Sequence, residues 1–303
     1  MIPFKDITLA DRDTITAFTM KSDRRNCDLS FSNLCSWRFL YDTQFAVIDD
    51  FLVFKFWAGE QLAYMMPVGN GDLKAVLRKL IEDADKHNFC MLGVCSNMRA
   101  DLEAILPERF IFTEDRAYAD YIYLRSDLAT LKGKKFQAKR NHINRFRNTY
   151  PDYEYTPITP DRIQECLDLE AEWCKVNNCD QQEGTGNERR ALIYALHNFE
   201  ALGLTGGILH VNGKIVAFTF GMPINHETFG VHVEKADTSI DGAYAMINYE
   251  FANRIPEQYI YINREEDLGI EGLRKAKLSY QPVTILEKYM ACLKDHPMDM
   301  VRW

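Results

Sequence analysis

The residues that most suggest chemistry form a basic run in the middle of the chain. From Lys132 to Arg147 the sequence reads KGKKFQAKRNHINRFR, with seven lysines and arginines and no acid. The whole chain carries a formal net charge of −8, so this run of +7 stands against −15 in the remainder. A charge run is often only a solvated face. Clustered cations also attract phosphate oxygens, so the run is equally a candidate site for a nucleotide, coenzyme A, a tRNA acceptor end or lipid headgroups.

Apolar residues inside the run predict a helix with one face against the body of the protein. Phe136, Ile143 and Phe146 recur at spacings of seven and three, which places them on one side of a helix. The basic side chains then project from the other side into a groove. The donor-binding candidates on this helix are Lys139, Arg140, His142 and Asn144.

The remaining elements divide the chain into two halves of similar order. Each half reads as strands, a helix and further strands and helices, which is typical of an α+β protein. The strongest local signal is Asn212-Gly213, a two-residue turn between alternating apolar runs that predicts a hairpin. We place the boundary near Ser126, where the charged segment begins. The expected domains are residues 1–125 and 126–303.

Composition excludes several classes of protein. A chain of 303 residues with 47% hydrophobic and 26% charged residues is expected to fold as two globular domains. No apolar stretch reaches the roughly 18 residues of a membrane-spanning helix. The N-terminal residues MIPFKDITLADRD carry acids where an export signal would be basic, so we expect a cytoplasmic protein. The 8 cysteines and 7 histidines show no C-x-x-C or H-x-x-x-H spacing, so no metal site is expected.

Four segments of the second half resemble one known family. They are LKGKKFQAKRNHINRFRNTYPDYEYTPIT, GGILHVNGKIVAFTFG, FGVHVEKADTSIDGAYAMINYEFA and REEDLGIEGLRKAKLSYQP. All four resemble the phosphatidylglycerol lysyltransferase C-terminal domain family. More distantly the chain is similar to Fem-type peptidyltransferases, whose loop-to-helix and C-terminal motifs recur here as Gly242-Ala243, Gly269-Ile270, Gly272-Leu273 and Lys277.

The resemblance implies both a fold and a reaction. The fold it implies is a tandem pair of GNAT-like units, each with a mixed, splayed sheet flanked by helices. The reaction it implies is transfer of an aminoacyl group from aminoacyl-tRNA to an amine or hydroxyl acceptor, with the site in the second half.

Two departures from these relatives bear on the substrates. The sequence shows no multi-helix membrane portion like the one that delivers lipid in the best-known members, which weakens the expectation of a lipid acceptor. The stretch from Ser239 to Tyr244 also differs from the loop that wraps a coenzyme A pyrophosphate, because Asp241 would repel phosphates and Tyr244 replaces a small residue. We therefore expect no tightly bound cofactor, with aminoacyl-tRNA as co-substrate and acyl-coenzyme A as the alternative.

Transfer to an amine requires a sink for the amine proton and donors for the developing oxyanion. In GNAT-like folds the splayed strands leave backbone N–H groups for the oxyanion, so we look for carboxylates at strand ends. Asp267 and Glu234 are the candidate bases, with Glu265 and Glu266 behind them, and either could instead pair with a cationic aminoacyl group. Tyr280 is the candidate proton donor to a leaving hydroxyl. The further donor-binding candidates are Gly242, Lys275 and Lys277.

Three functions stay open on the sequence alone. The first is an aminoacyl-tRNA-dependent transferase and the second an acyl-coenzyme-A-dependent N-acyltransferase on the same scaffold. The third is a non-catalytic member that only binds an anion or a partner. The acceptor could be a small molecule, a peptide or a lipid headgroup. The first two require the basic helix and the acidic turn near Asp267 to converge on a single cavity.

Overall fold

The computed structural model describes residues 2–84, 87–177 and 183–294. The strands within these residues are β1 Lys5–Asp6, β2 Gln44–Ile48, β3 Phe51–Ala58, β4 Gln61–Met65, β5 Val68–Gly69, β6 Phe89–Val94, β7 Phe110–Glu114, β8 Asp120–Leu124, β9 Glu154–Pro157, β10 Thr205–Val211, β11 Lys214–Pro223, β12 Thr228–Ala236, β13 Tyr261–Asn263, β14 Thr284–Leu286 and β15 Tyr289–Leu293. The helices are α1 Arg12–Thr19, α2 Phe31–Ser36, α3 Arg38–Tyr41, α4 Leu73–Ala84, α5 Ser96–Ile105, α6 Arg125–Thr130, α7 Gln137–Thr149, α8 Ile163–Asn177, α9 Glu183–His197, α10 Phe199–Leu202, α11 Ala243–Ala252 and α12 Glu271–Leu278. None of the helices in these ranges combines the length and the apolar composition that crossing a bilayer requires.

Two mixed sheets repeat one construction. In the first sheet β2, β3 and β4 are antiparallel neighbours, α4 crosses over, and β6 returns parallel to β4. In the second sheet β10, β11 and β12 are antiparallel neighbours, α11 crosses over, and β13 returns parallel to β12. The predicted fold class, α+β with two mixed sheets flanked by helices, is confirmed.

The two sheets exchange their last strands. β8 follows β7 in the chain but pairs with β13 and β14 in the second sheet. β15 follows β14 but lies between β6 and β7 in the first sheet, where Cys292 is disulfide-bonded to Cys90. The predicted domains, 1–125 and 126–303, do not account for this exchange, because such pairing between distant strands leaves no local signal in the sequence.

Tight turns fix the register of two hairpins. Asn212 and Gly213 have φ of 51° and 73°, as a two-residue turn of the mirror-image type requires. The hairpin predicted at this turn is confirmed by the pairing of β10 with β11. Asp49 and Asp50, with φ of 47° and 63°, make the equivalent turn between β2 and β3.

One face of the second sheet packs against the first half and α8, and the other face packs against α7 and α11. Phe218 and Phe220 of β11 share a buried cluster with Phe31 of α2. Phe146 of α7 and Met246 of α11 share another buried cluster with the opposite face of this sheet. The predicted basic helix is therefore present as α7, and it is anchored by the apolar residues that predicted it.

The second sheet opens between its two parallel strands. β12 and β13 pair only over Thr228–Gly230 and Tyr261–Asn263, whereas β12 continues to Ala236. A β-bulge at His232, where the pairing with β11 skips one residue, kinks β12 at the same place. The result is the predicted splayed sheet, with a slot between the far half of β12 and the segment that follows β13.

Gly221→Ala tests the packing at this bulge. A β-carbon on Gly221 would lie 1.8 Å from the carbonyl oxygen of Gly230, so β11 and β12 must move apart to accept it. We expect a loss of about 1–3 kcal/mol in the free energy of unfolding, the usual cost of overpacking, measured by urea denaturation. Gly272→Ala is the control, because nothing lies within 4 Å of a β-carbon there. Equal stability of the two variants would contradict the close approach.

Candidate active site between two splayed strands

Four consecutive charged residues, 264–267, leave the end of β13 in different directions. Asn263 ends the strand and accepts a hydrogen bond from the backbone N–H of Glu265 at 2.6 Å. Glu265 and Leu268 have φ of 58° and 52°, a conformation that costs energy for a residue with a side chain and often marks functional sites. These turns direct Arg264 toward β12 and α11, and direct Glu265 toward the first half of the chain.

Arg264 and Glu234 bridge the slot. Arg264 Nη2 donates to Glu234 Oε1 at 3.0 Å, and Asn248 Nδ2 donates to Glu234 Oε2 at 3.1 Å. The two charged side chains are only 11% and 14% exposed. Beside them, Arg264 Nη1 and Asn248 Oδ1 are buried without a hydrogen-bond partner among the described residues. Buried polar atoms are normally paired, so these two atoms have hydrogen-bonding capacity that no described residue uses.

Lys139 and Tyr280 complete this group, which we call the Arg264 cluster (Arg264, Glu234, Asn248, Lys139 and Tyr280). Lys139 Nζ lies 3.8 Å from the centre of the Tyr280 ring, and the Arg264 guanidinium lies 4.7 Å from it. Burial, and then the charge of Arg264, lowers the pKa of Lys139 to about 8. Burial raises the pKa of Tyr280 well above its ordinary value, so its hydroxyl stays protonated at neutral pH.

Lys277 supports the backbone that carries Arg264. Its ammonium donates to the carbonyl oxygen of Arg264 at 2.5 Å and to the carbonyl oxygen of Glu266. Burial, followed by the charge of Arg264, lowers the pKa of Lys277 to about 8. The Lys277 ammonium therefore binds the protein backbone. This geometry favours a supporting role over the predicted contact with donor phosphates.

Asp267 is fully buried and saturated with donors. Tyr121 Oη donates at 2.6 Å, Arg274 donates to both oxygens at 2.8 and 3.0 Å, and Arg116 donates at 3.2 Å. Burial acts to raise the pKa of Asp267, but the hydrogen bonds from Arg274 and Tyr121 outweigh it and hold that pKa far below its ordinary value. A carboxylate in this state is a poor proton acceptor. The geometry favours an anchoring role for Asp267 over the predicted role of base.

Glu266 meets a buried lysine from the end of the chain. Lys288 Nζ lies 2.5 Å from Glu266, 2.9 Å from Asp120 and 3.1 Å from Asp28. Burial acts to lower the pKa of Lys288, but these carboxylates hold it well above its ordinary value. Burial raises the pKa of Glu266 to about 7. Cys27 lies in the same group, and the ammonium already supplies the positive charge that a metal would bring.

Three predicted site residues meet in one place. Lys139, Glu234 and Tyr280 belong to the Arg264 cluster. Lys277 lies beside it, because its ammonium donates to the carbonyl oxygen of Arg264, and Tyr121 contacts both Lys277 and Asp267. Lys139 of the basic helix therefore lies close to the segment that carries the acidic turn, and convergence on a single cavity stays a prediction.

Other predicted donor-binding residues lie outside the cluster. Arg140 donates to the carbonyl oxygens of Leu131 and Gly133 and so fixes the loop before α7. Gly242 begins α11 with φ of 83°, and a β-carbon there would lie 3.2 Å from the carbonyl oxygen of His142. The three remaining donor-binding candidates are exposed or half-buried on the surface, and they are His142, Asn144 and Lys275.

Sequence reasoning missed Arg264 and Asn248. Arg264 is followed directly by three acids, so counting charges hides it. A polar residue on the buried side of the apolar helix α11 is a signal that could have found Asn248, since such residues need a partner.

Comparisons with known proteins bear on this site. A family model described as phosphatidylglycerol lysyltransferase, C-terminal, matches residues 19–292. The chain belongs to this family. A crystal structure of a conserved protein from Bacteroides thetaiotaomicron is 99% identical, with a TM-score of 0.96 over 97% of this chain and 100% of that chain. An uncharacterised protein of Mycoplasmoides gallisepticum is 25% identical over 177 residues, and the match spans about half of that relative, 56% of this chain and 55% of that protein.

More distant structures share the fold of this lysyltransferase family member. L-PGS from Bacillus licheniformis is 18% identical, with a TM-score of 0.65 over 95% of this chain and 93% of that chain. FemX is 7% identical, with a TM-score of 0.59 over 97% and 98%. A tandem GNAT protein from the clavulanic acid biosynthesis pathway is 11% identical, with a TM-score of 0.50 over 99% and 100%. These similarities show that the chain shares the fold of tandem GNAT and Fem proteins.

Asp267→Asn tests the anchoring role. It leaves Arg116 and Arg274 facing a neutral amide, so we expect a loss of about 2–4 kcal/mol in the free energy of unfolding near neutral pH. Folding lowers the pKa of Asp267, so its stabilising effect is complete above about pH 4 and is lost as the pH falls below that value. Denaturation at neutral and acidic pH measures both effects. A fully stable variant whose turnover falls about 100-fold would instead support a base.

Proposed function

We propose that this protein transfers an aminoacyl group from aminoacyl-tRNA to an amine or hydroxyl acceptor, with the slot between β12 and β13 as the active site. The Arg264 cluster carries the proposal, because it places a buried cation, a buried carboxylate and two unpaired polar atoms side by side. An aminoacyl ester has the complementary groups, namely a carbonyl oxygen and an α-ammonium group.

In this proposal Arg264 stabilises the ester carbonyl. Its Nη1 has no protein partner among the described residues, so it donates to the carbonyl oxygen, where negative charge develops as the acceptor attacks. Substrate binding removes the cost of leaving that donor unpaired. Glu234 and the side-chain oxygen of Asn248 accept hydrogen bonds from the α-ammonium group.

Tyr280 and Lys139 act at the ribose end of the ester. The raised pKa of Tyr280 keeps a proton on its hydroxyl, so it donates to the ribose oxygen that leaves. Lys139 touches the same ring and is positively charged below about pH 8, so it attracts the neighbouring phosphate of the donor. No nucleophilic side chain is needed, because the ester is already activated.

The surface around α7 supports tRNA over coenzyme A. The N-terminus of α11 is packed against α7 at Gly242, and Asp241 pairs with Arg145 at 2.8 Å, so a pyrophosphate would meet an acid in a closed site. Exposed cations outside the cluster suit a polyanion. They are Lys132, Lys134, Arg145 and Arg147. A tRNA donor also places the reaction in the cytoplasm, and it requires no tightly bound cofactor.

A transfer assay tests the proposal directly. With aminoacyl-tRNA carrying radiolabelled amino acids and a panel of amines, we expect protein-dependent label in an alkali-stable amide. Arg264→Met should lower the rate about 100-fold or more, because it removes an oxyanion donor, whereas Arg78→Met on the exposed side of α4 should not. Transfer from acetyl-coenzyme A alone would favour an acyl-coenzyme-A-dependent enzyme. Tight tRNA binding without transfer to any acceptor, phosphatidylglycerol vesicles included, would favour a non-catalytic member.

Lys139→Ala tests donor binding. We expect weaker binding of aminoacyl-tRNA and a slope of log affinity against log salt that is smaller by about one, measured by filter binding. Wild-type binding should weaken as the pH rises through about 8, because Lys139 then loses its charge. Lys139→Arg should abolish that pH dependence, and Lys74→Ala on α4 is the control. Unchanged affinity of Lys139→Ala at every salt concentration would contradict the proposed contact.

A further inference from the structure

His232 connects the first half of the chain with the slot. It is the bulged residue of β12, and its Nε2 lies 2.8 Å from the hydroxyl oxygen of Ser30 at the start of α2. Its Nδ1 lies 2.8 Å from Oε1 of Glu265. Only 4% of the imidazole side chain is exposed. Serine, histidine and glutamate therefore form one hydrogen-bonded chain.

The partners of His232 fix its proton. A carboxylate only accepts, so Nδ1 carries a proton and donates to Glu265, and the Ser30 hydroxyl lies against Nε2. Ser30 is fully buried, so it orients the ring and is not placed to attack a substrate. Glu265 is the accessible end of the chain, with 25% of its side chain exposed.

Both orienting donors act on the same oxygen of Glu265. Asn33 Nδ2 also donates to Oε1, at 2.8 Å. No hydrogen bond to Oε2 comes from the residues that the structure describes. The backbone of Glu265 has φ of 58°, which is kept only where the surrounding structure holds it. One oxygen is therefore fixed, and the other is left for a ligand.

The charges near Glu265 favour a cationic ligand. Asn33, one of its two donors, is a neutral amide. Lys277, which interacts with Glu265 electrostatically, has its ammonium committed to two backbone carbonyls. The adjacent carboxylates share the single ammonium of Lys288, and they are Asp28, Asp120 and Glu266. An ammonium group can donate to Oε2, whereas a fully ionised phosphate, which only accepts, cannot.

From this geometry we infer that Glu265 receives the acceptor, that the acceptor is a primary amine, and that His232 is the positioning residue that orients Glu265. The inference rests on the proposed aminoacyl transfer. Donor and acceptor then meet across the slot, with the ester at the Arg264 cluster and the amine at Glu265.

The proton balance of the step is complete. The acceptor ammonium gives one proton to Glu265, and its nitrogen forms the C–N bond to the aminoacyl carbonyl carbon. The C–O bond to the ribose breaks, Tyr280 gives its proton to the leaving oxygen, and the second amine proton restores Tyr280. Glu265 finally releases its proton to water, so no further reactant is needed.

Amine binding can be measured without a donor. The imidazole 15N and proton resonances of His232, identified by their loss in His232→Gln, report on its hydrogen bond to Glu265. We expect ethylammonium to shift these resonances and an equal concentration of ethanol to leave them in place. Glu265→Gln should abolish the response, whereas Glu271→Gln at the exposed start of α12 should keep it. No shift, or the same shift in Glu265→Gln, would overturn the inference.

Transfer to ethylamine tests the positioning role. Glu265→Gln should lower kcat/KM for the amine about 100-fold or more with tRNA affinity unchanged. His232→Asn keeps a donor near the Nδ1 position and should retain most of the rate. His232→Gln places its amide near Nε2 instead and should lose it, so equal rates in these two variants would refute the positioning role. An amine response without any wild-type transfer would refute the proposed function while leaving the amine site in place.

Discussion

The separation of β12 from β13 is the constraint on which the rest of the structure depends. Backbone pairing joins these parallel strands at only three residue pairs. Beyond Gly230 and Asn263, contacts between side chains take the place of backbone hydrogen bonds. Arg264 reaches Glu234 of β12 on the face that α11 covers, and Glu265 reaches His232 of the same strand on the face next to α2. A buried ion pair gains little over apolar packing, since removing charges from water is costly. The proposed ester would use this pair and the unpaired atoms beside it.

The first half of the chain is part of this arrangement and not a separate module. Ser30 and Asn33 orient Glu265 from α2. Lys288, in the short link before β15, holds carboxylates from both halves in one buried group. The exchange of β8 and β15 fixes each sheet to the other along the backbone. A fragment that begins at the predicted boundary would therefore lose both β8 and the support of the slot.

Sequence reasoning reached what local patterns determine. The spacing of Phe136, Ile143 and Phe146 gives α7, and Asn212-Gly213 gives the hairpin, because both depend on neighbouring residues. The saturation of Asp267 could not be predicted, since only Arg274 lies near it in the chain, whereas Arg116 and Tyr121 lie some 150 residues away. His232 was missed for a related reason. Only the bulge in β12 decides which face its ring occupies, and strand alternation alone does not reveal a bulge.

The central claim is that the slot between β12 and β13 binds an aminoacyl ester, and a crystal structure with a stable analogue tests it most directly. The analogue is adenosine that carries an amino acid on its 3′ position through an amide in place of the ester. The account predicts density in the slot, with the carbonyl oxygen within hydrogen-bond distance of Arg264 Nη1 and the α-ammonium group against Glu234. Density for the analogue at another surface would contradict this account. A slot that holds no analogue at a saturating concentration would contradict it as well.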